Sequence, residues 1–178
     1  MSRFENSEAF LVDENYWYEL WEGRQAGIAG EYSSEQEKGR VAREWYECIN
    51  SHAVGCIARH LAESAEFVDV AGGITMRGSQ RIADYFQRWF DAFSDYSVEI
   101  KNLAVAGDLV TVEYDAEGTE RGALRGPSRQ IAPVGHRFEL HCCDVLQIRD
   151  GKLAICRSYY DKATMMNQLG LGPVELAA

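Results

Sequence analysis

The chain has 178 residues, of which 46% are hydrophobic, 11% aromatic and 26% charged, the balance of one globular domain with a sizeable core and not of a disordered or fibrous chain. With 28 acidic residues against 18 basic ones the formal net charge is -10, which argues against nucleic acid or an anionic membrane surface as partner. No stretch approaches the ~18 consecutive apolar residues of a membrane helix, and the opening MSRFENSEAFLVDENYWYEL lacks the basic start and clean apolar run of a secretory signal. Five cysteines, Cys48, Cys56, Cys142, Cys143 and Cys156, are odd in number and scattered through apolar segments. They read as reduced, mostly buried thiols in a cytoplasmic protein rather than as disulfides.

Composition divides the chain near residue 34. Residues 1–34 form an N-terminal extension in which Tyr16, Trp17, Leu20 and Trp21 give a short helix with an aromatic face. It is too short to fold alone and is either an arm that packs on a domain or a lid over a pocket. The domain itself is expected over 35–172, with a tail at 173–178. Ser33-x-x-Gln36 and Ser34-x-x-Glu37 are both capping-box patterns, and Val41, Trp45, Cys48 and Ile49 recur at helical spacing, so a helix is predicted over about 35–50. Ala53 to Leu61 continues helical after the Asn50-Ser51 break, and Glu66 to Val70 is a short strand. Ser79 then caps the clearest helix, with Ile82, Tyr85, Phe86, Trp89, Phe90 and Phe93 at helical spacing. After Asp95 the period becomes two: Val98, Ile100, Leu103 and Val105 lead into the Gly107-Asp108 turn and a strand from Leu109 to Glu117. A polar connection, a long strand over about 136–149, the Asp150-Gly151 hairpin turn, a strand over about 152–160 and a short helix from Lys162 to Leu169 follow. Helices that precede a meander of antiparallel strands make an α+β domain, with the helices covering one face of a curved sheet.

Several strings in this order resemble the ketosteroid-isomerase-like superfamily and, within it, the SnoaL-like polyketide cyclases. They are the helix ending in Ile49-Asn50, EFVDVAGG at 66–73, MRGSQRIADYFQRWFDAF at 76–93, AGDLVTVEYDAEGTERG, the LQIRDGKL hairpin and the closing YYDKATMMNQLGL. The resemblance covers roughly residues 36–171 and rests on their order and spacing. It implies a cone-shaped α+β barrel in which a bent sheet wraps around a long helix and encloses an apolar pocket. It also implies a homodimer and an enzyme that needs no metal or organic cofactor. Carried over by position, Asp69 falls where ketosteroid isomerases place the proton-shuttling aspartate and Asp144 where they place the protonated aspartate of the oxyanion hole. Their oxyanion tyrosine maps to Trp45, with Tyr46 one residue on. The acid-base aspartate of the cyclases maps to Ser158, as does an essential aspartate of related epoxide hydrolases, so the familiar aldol-cyclase constellation is not present.

The residues taken alone point the same way in part. Asp144 shares a strand face with Phe138, Leu140, Cys142, Leu146 and Ile148. An aspartate on an apolar face is paired, hydrogen-bonded or protonated. Either it is a proton donor with a raised pKa, or it pairs with Arg157, Arg137 or His141, or it sits at a bulge facing solvent. An ionised Asp69 with a neutral Asp144 would supply the base and the donor that proton abstraction next to a carbonyl requires. Tyr85, Trp89 and Tyr114 either line an aromatic pocket or pack in the core. His141-x-Cys143 offers two metal ligands on one strand face, too few for a site. A Ser158, His141 and Asp144 triad can be drawn, but no nucleophile elbow surrounds Ser158. The leading expectation is a small cofactor-independent cyclase, isomerase or dehydratase acting on a hydrophobic polyketide- or steroid-like carbonyl compound. Asp144, Asp69 and Tyr46 would be catalytic, and Trp45, Tyr85, Trp89, Tyr114, His141 and Ser158 would hold the substrate. The alternatives are a non-catalytic ligand-binding or dimerisation module and a cofactor-free hydroxylase or monooxygenase.

Overall fold

In the computed structural model, which describes residues 34–125, 130–131, 133 and 135–171, a first helix, α1, occupies residues 34–50. Val41, Ala42, Trp45, Tyr46, Cys48 and Ile49 are buried along it, at the three- and four-residue spacing that turns one face to a core. It stops at the Asn50-Ser51 break, where His52 takes a φ of 51° and the Asn50 side chain bonds both the N–H and the carbonyl of Val98. Helix α2 (Val54–His60) follows and runs straight into β1 (Leu61–Asp69), which pairs with β2 (Ile74–Arg77). Helix α3 (Ser79–Ala92) buries Ile82, Ala83, Phe86 and Phe90. The cap expected from Ser79 is not made. The N-cap is Gly78, at a φ of 92° and without a side-chain bond, because the entering backbone takes a conformation that favours glycine.

Strands β3 (Ser97–Ala106) and β4 (Leu109–Thr119) come next, then a small ribbon of β5 (Leu124–Arg125) and β6 (Gln130–Ile131) inside the polar connection. Strands β7 (Arg137–Arg149) and β8 (Lys152–Tyr160) and helix α4 (Lys162–Gln168) complete the described chain. Asp150 and Gly151, at φ of 50° and 69°, make the tight β7–β8 turn, the backbone that an Asp-Gly pair favours. Asp161 caps α4 by accepting the N–H groups of Ala163 and Thr164.

The main sheet has the order β2-β1-β8-β7-β4-β3. Strands β3, β4, β7 and β8 are antiparallel neighbours, as the period-two pattern predicts, whereas β1 joins β8 in parallel. Register shifts at Leu61/Glu66, Ile100/Asn102 and Gln147/Ile148 bend the strands locally, and the sheet curves without closing. Its inward residues, among them Val110, Val112, Phe138, Leu146 and Ile148, share one core with α1 and α3.

One cysteine expectation is overturned. Cys48 and Cys56 form a disulfide, with Cα atoms 5.5 Å apart, because the turn after Asn50 returns α2 alongside the end of α1. Cys142, Cys143 and Cys156 are free. Thiol usage therefore no longer argues for a reducing compartment. Among the described residues, no helix is long and apolar enough to cross a membrane. The arm or lid expected within residues 1–34 falls outside the described residues except for Ser34, and so do Ser33 of the first capping box and the tail at 173–178.

Candidate active site

A cavity lies between α1, α3 and the inner face of the sheet. Its walls include Trp45, Tyr46 and Ile49 from α1, Tyr85, Phe86 and Trp89 from α3, and Tyr114, Leu140, Asp144, Ser158 and Tyr160 from the strands. Alternation along β7 turns Asp144 inward with Leu140 and Leu146, and the side chain is 3% exposed. Its Oδ2 accepts the Tyr46 hydroxyl at 2.9 Å and its Oδ1 accepts the Tyr114 hydroxyl at 3.1 Å. Ser158 donates as well, and the Cys156 Sγ lies 3.8 Å from Oδ2. Burial pushes the Asp144 carboxyl up to about 6, while these donors hold it from rising further. Burial and the facing Asp144 charge push the Tyr46 and Tyr114 phenols well above their ordinary value, so both keep their protons as donors.

One expectation for Asp144 is corrected by this arrangement. It does not pair with Arg137, which bonds Glu117 and Glu139, or with His141, which bonds Asp115. The raised carboxyl expected on an apolar face is what burial gives it, with tyrosine hydroxyls against both oxygens.

Asp69 is the last residue of β1 and is 5% exposed. It pairs in register with Ser158, which pairs in register with Asp144. The three residues therefore form a row across three adjacent strands, and two strand spacings put the carboxylate-bearing positions about 10 Å apart. Asp69 Oδ1 accepts the Gly72 N–H at 2.7 Å and Oδ2 accepts the Tyr160 hydroxyl at 3.2 Å. Asp69 itself is not part of the cavity wall and reaches it through Tyr160. A Cβ at residue 72 would overlap the Asp69 carboxyl. Gly72→Ala is accordingly expected to displace Asp69 and to destabilise the fold by about 1–3 kcal/mol, read as a lowered midpoint of urea unfolding.

The other expected residues divide. Trp45 is 1% exposed, meets Phe86 edge to face at 5.5 Å, and its Nε1 has no hydrogen-bond partner among the described residues, which is costly for a buried donor. Tyr85 and Trp89 stack with centroids 6.4 Å apart. His141 is not in this cavity. It lies on β7 at the opposite parity to Asp144, its side chain is 95% exposed, and neither substrate contact in the cavity nor the Ser158 triad can be built from it. Cys143 shares that outward parity, which also removes the His141-x-Cys143 pair from the cavity. Two tyrosines of the wall escaped the sequence reading, Tyr96 and Tyr160. Tyr160 has the same parity as Ser158 on β8, so alternation was a usable signal. Tyr96 sits between α3 and β3, where no periodicity points at it.

A family model described as a SnoaL-like domain matches residues 42–155. The chain belongs to the SnoaL-like family. Among solved structures, this SnoaL-like chain is similar to a protein with a ketosteroid isomerase-like fold from Catenulispora acidiphila, in complex with trimethylamine (TM-score 0.63, 23% identity, covering 74% of this chain and 92% of that one). It is similar to a proposed SnoaL-like polyketide cyclase from Jannaschia (TM-score 0.69, 15% identity, 78% and 95%). It is similar too to an LEH-like epoxide hydrolase of M. tuberculosis (TM-score 0.62, 19% identity, 78% and 93%). At these identities the likeness shows the fold. No curated protein matches the chain.

Proposed function

We propose that this SnoaL-like protein is a small enzyme, independent of metal and organic cofactors, that moves a proton next to a carbonyl in a hydrophobic polyketide- or steroid-like compound. The observation that carries the reading is Asp144: a buried carboxylate pushed up to about 6 and held by tyrosine donors in a wall of aromatic side chains. A carboxyl near that value both takes and returns a proton close to neutral pH. Asp144 removes the proton from carbon, and the electron pair moves onto the carbonyl oxygen as the enolate forms. Trp45 Nε1–H, a buried donor without an acceptor among the described residues, is the group offered to that oxygen. Tyr46 and Tyr114 orient Asp144, Tyr85 and Trp89 offer an aromatic wall to the apolar body of the substrate, and Ser158 bridges the floor between the carboxylates. Asp69, acting through Tyr160, is the second proton site. Return of the proton at a different carbon gives isomerisation, and attack of the enolate on a second carbonyl gives ring closure. The same reading makes the protein a homodimer, checked by a sedimentation mass of two chains.

A planar phenol of the equilenin type, which mimics an enolate, tests the site. It is expected to bind with a change in Trp emission and to lose at least about tenfold in affinity in Trp45→Phe, which removes the donor offered to the enolate oxygen, whereas Asp144→Asn, which removes the negative charge facing the phenolate, binds it more tightly. Absence of binding, or binding indifferent to both substitutions, transfers the case to a ligand-binding module, for which Ser158 at the position of the cyclase aspartate already speaks.

A further inference from the structure

Outside the cavity wall, the Cys48–Cys56 disulfide has a histidine beside it. His60 lies one helical turn beyond Cys56 and places its Nδ1 3.5 Å from Cys48 Sγ and 3.8 Å from Cys56 Sγ. The same nitrogen is 3.0 Å from the Cys56 carbonyl oxygen, and Nε2 faces the Glu44 carboxylate at 3.4 Å. Glu44 is paired in turn with Arg40. The Cys56 carbonyl is an acceptor, so Nδ1 is the ring nitrogen oriented to carry hydrogen, and it sits against both sulfurs. An N–H donor there stabilises the thiolate that forms when the bond opens. Cys48 is 2% exposed, whereas Cys56 and His60 are partly open to solvent. An incoming thiol therefore meets the Cys56 sulfur first, and Cys48 is the sulfur that leaves.

We propose that Cys48–Cys56 is a thiol–disulfide exchange site whose co-reactant is a dithiol, with His60 as the proton donor to Cys48. One thiolate of the dithiol attacks Cys56 Sγ, a mixed disulfide forms, and the electron pair of the broken S–S bond goes to Cys48, which takes the Nδ1 proton of His60. The second thiol of the co-reactant, on losing its proton, attacks its own sulfur in the mixed disulfide and releases Cys56 as a thiolate, which is protonated in turn. The protein gains two electrons and two protons, and the dithiol is oxidised to a disulfide. Cys48, Cys56 and His60 are also the one group of potential ligands that converges among the described residues, but its sulfurs can hold an ion only after this bond has opened.

The test uses the full chain purified without reductant. Titration of thiols in denaturant is expected to find three before reduction, the free Cys142, Cys143 and Cys156, and five after it. Native protein treated with dithiothreitol, alkylated and mapped by peptide mass is expected to expose Cys48 and Cys56 together, and oxidised dithiothreitol to reclose them. His60→Gln keeps the thiol count but slows native reduction by about tenfold, because the leaving thiolate loses its proton donor. In the single variants, Cys48→Ser leaves a rapidly alkylated Cys56, and Cys56→Ser leaves a slowly alkylated Cys48. Five thiols from the outset, a bond that opens only on denaturation, or an unchanged rate in His60→Gln overturns the proposal. Reduced thiols that resist alkylation until a chelator is added overturn it too, in favour of a metal site.

Discussion

Asp144→Asn is expected to lower the rate of proton exchange next to a carbonyl by about 10²–10⁴-fold, the range that a positioned acid-base group contributes. The reaction can be followed without knowing the natural product, by the loss of α-proton signals of a panel of polycyclic ketones in deuterated buffer. Asparagine keeps the shape of aspartate and retains one acceptor for the tyrosine hydroxyls that now bond Oδ1 and Oδ2, so folding persists while the proton acceptor is gone. Tyr46→Phe separates holding from transfer. It removes one donor that restrains the Asp144 carboxyl from rising above about 6, so the acid limb of the rate profile moves to higher pH while activity survives on the alkaline side. Exchange that proceeds equally in Asp144→Asn would falsify the acid-base assignment.

The second large effect is on stability. The Asp144 carboxyl titrates near 3.8 when the chain is unfolded and near 6 when it is folded. Between those values the folded chain binds the extra proton, so the contribution is complete below about pH 4 and is lost as pH rises through about 6. Across that window the wild type is expected to lose about 3 kcal/mol relative to Asp144→Asn, which has no such group, and the difference is flat above about pH 7. Urea unfolding of both proteins at steps from pH 4 to 8 measures it. A difference that stays constant through the window shows that the carboxyl is not raised.

These two results concern one residue, and its inward orientation was legible from β7 alone. Apolar side chains at Phe138, Leu140, Leu146 and Ile148 surround it at a spacing of two, and the same parity rule turns His141, expected among the substrate contacts, to solvent. The partners of Asp144 were not legible in this way. Tyr46 and Tyr114 stand 98 and 30 residues away in sequence, and nothing in either local pattern states that their hydroxyls meet one carboxylate. Those hydroxyls hold the carboxyl near 6 against the upward push of burial. Asp69 was correctly placed on a buried strand face, but only its neighbours reveal that Tyr160 stands between it and the cavity.

The sequence by itself determined the main helices and the four long strands β3, β4, β7 and β8, though not β2 or the β5–β6 ribbon, together with the buried face of each, the Asp-Gly hairpin, and membership of a family whose order of strings it carries. These are decided within a few turns or strand residues, where periodicity and φ preferences act. Only the tertiary structure decided that β1 lies parallel to β8, which sets Asp69, Ser158 and Asp144 in one row, and that α2 returns to join Cys56 to Cys48. A strand edge offers the same backbone donors and acceptors to any partner. Which edge it pairs with, and so which side chains become neighbours, follows from burying all the apolar faces together.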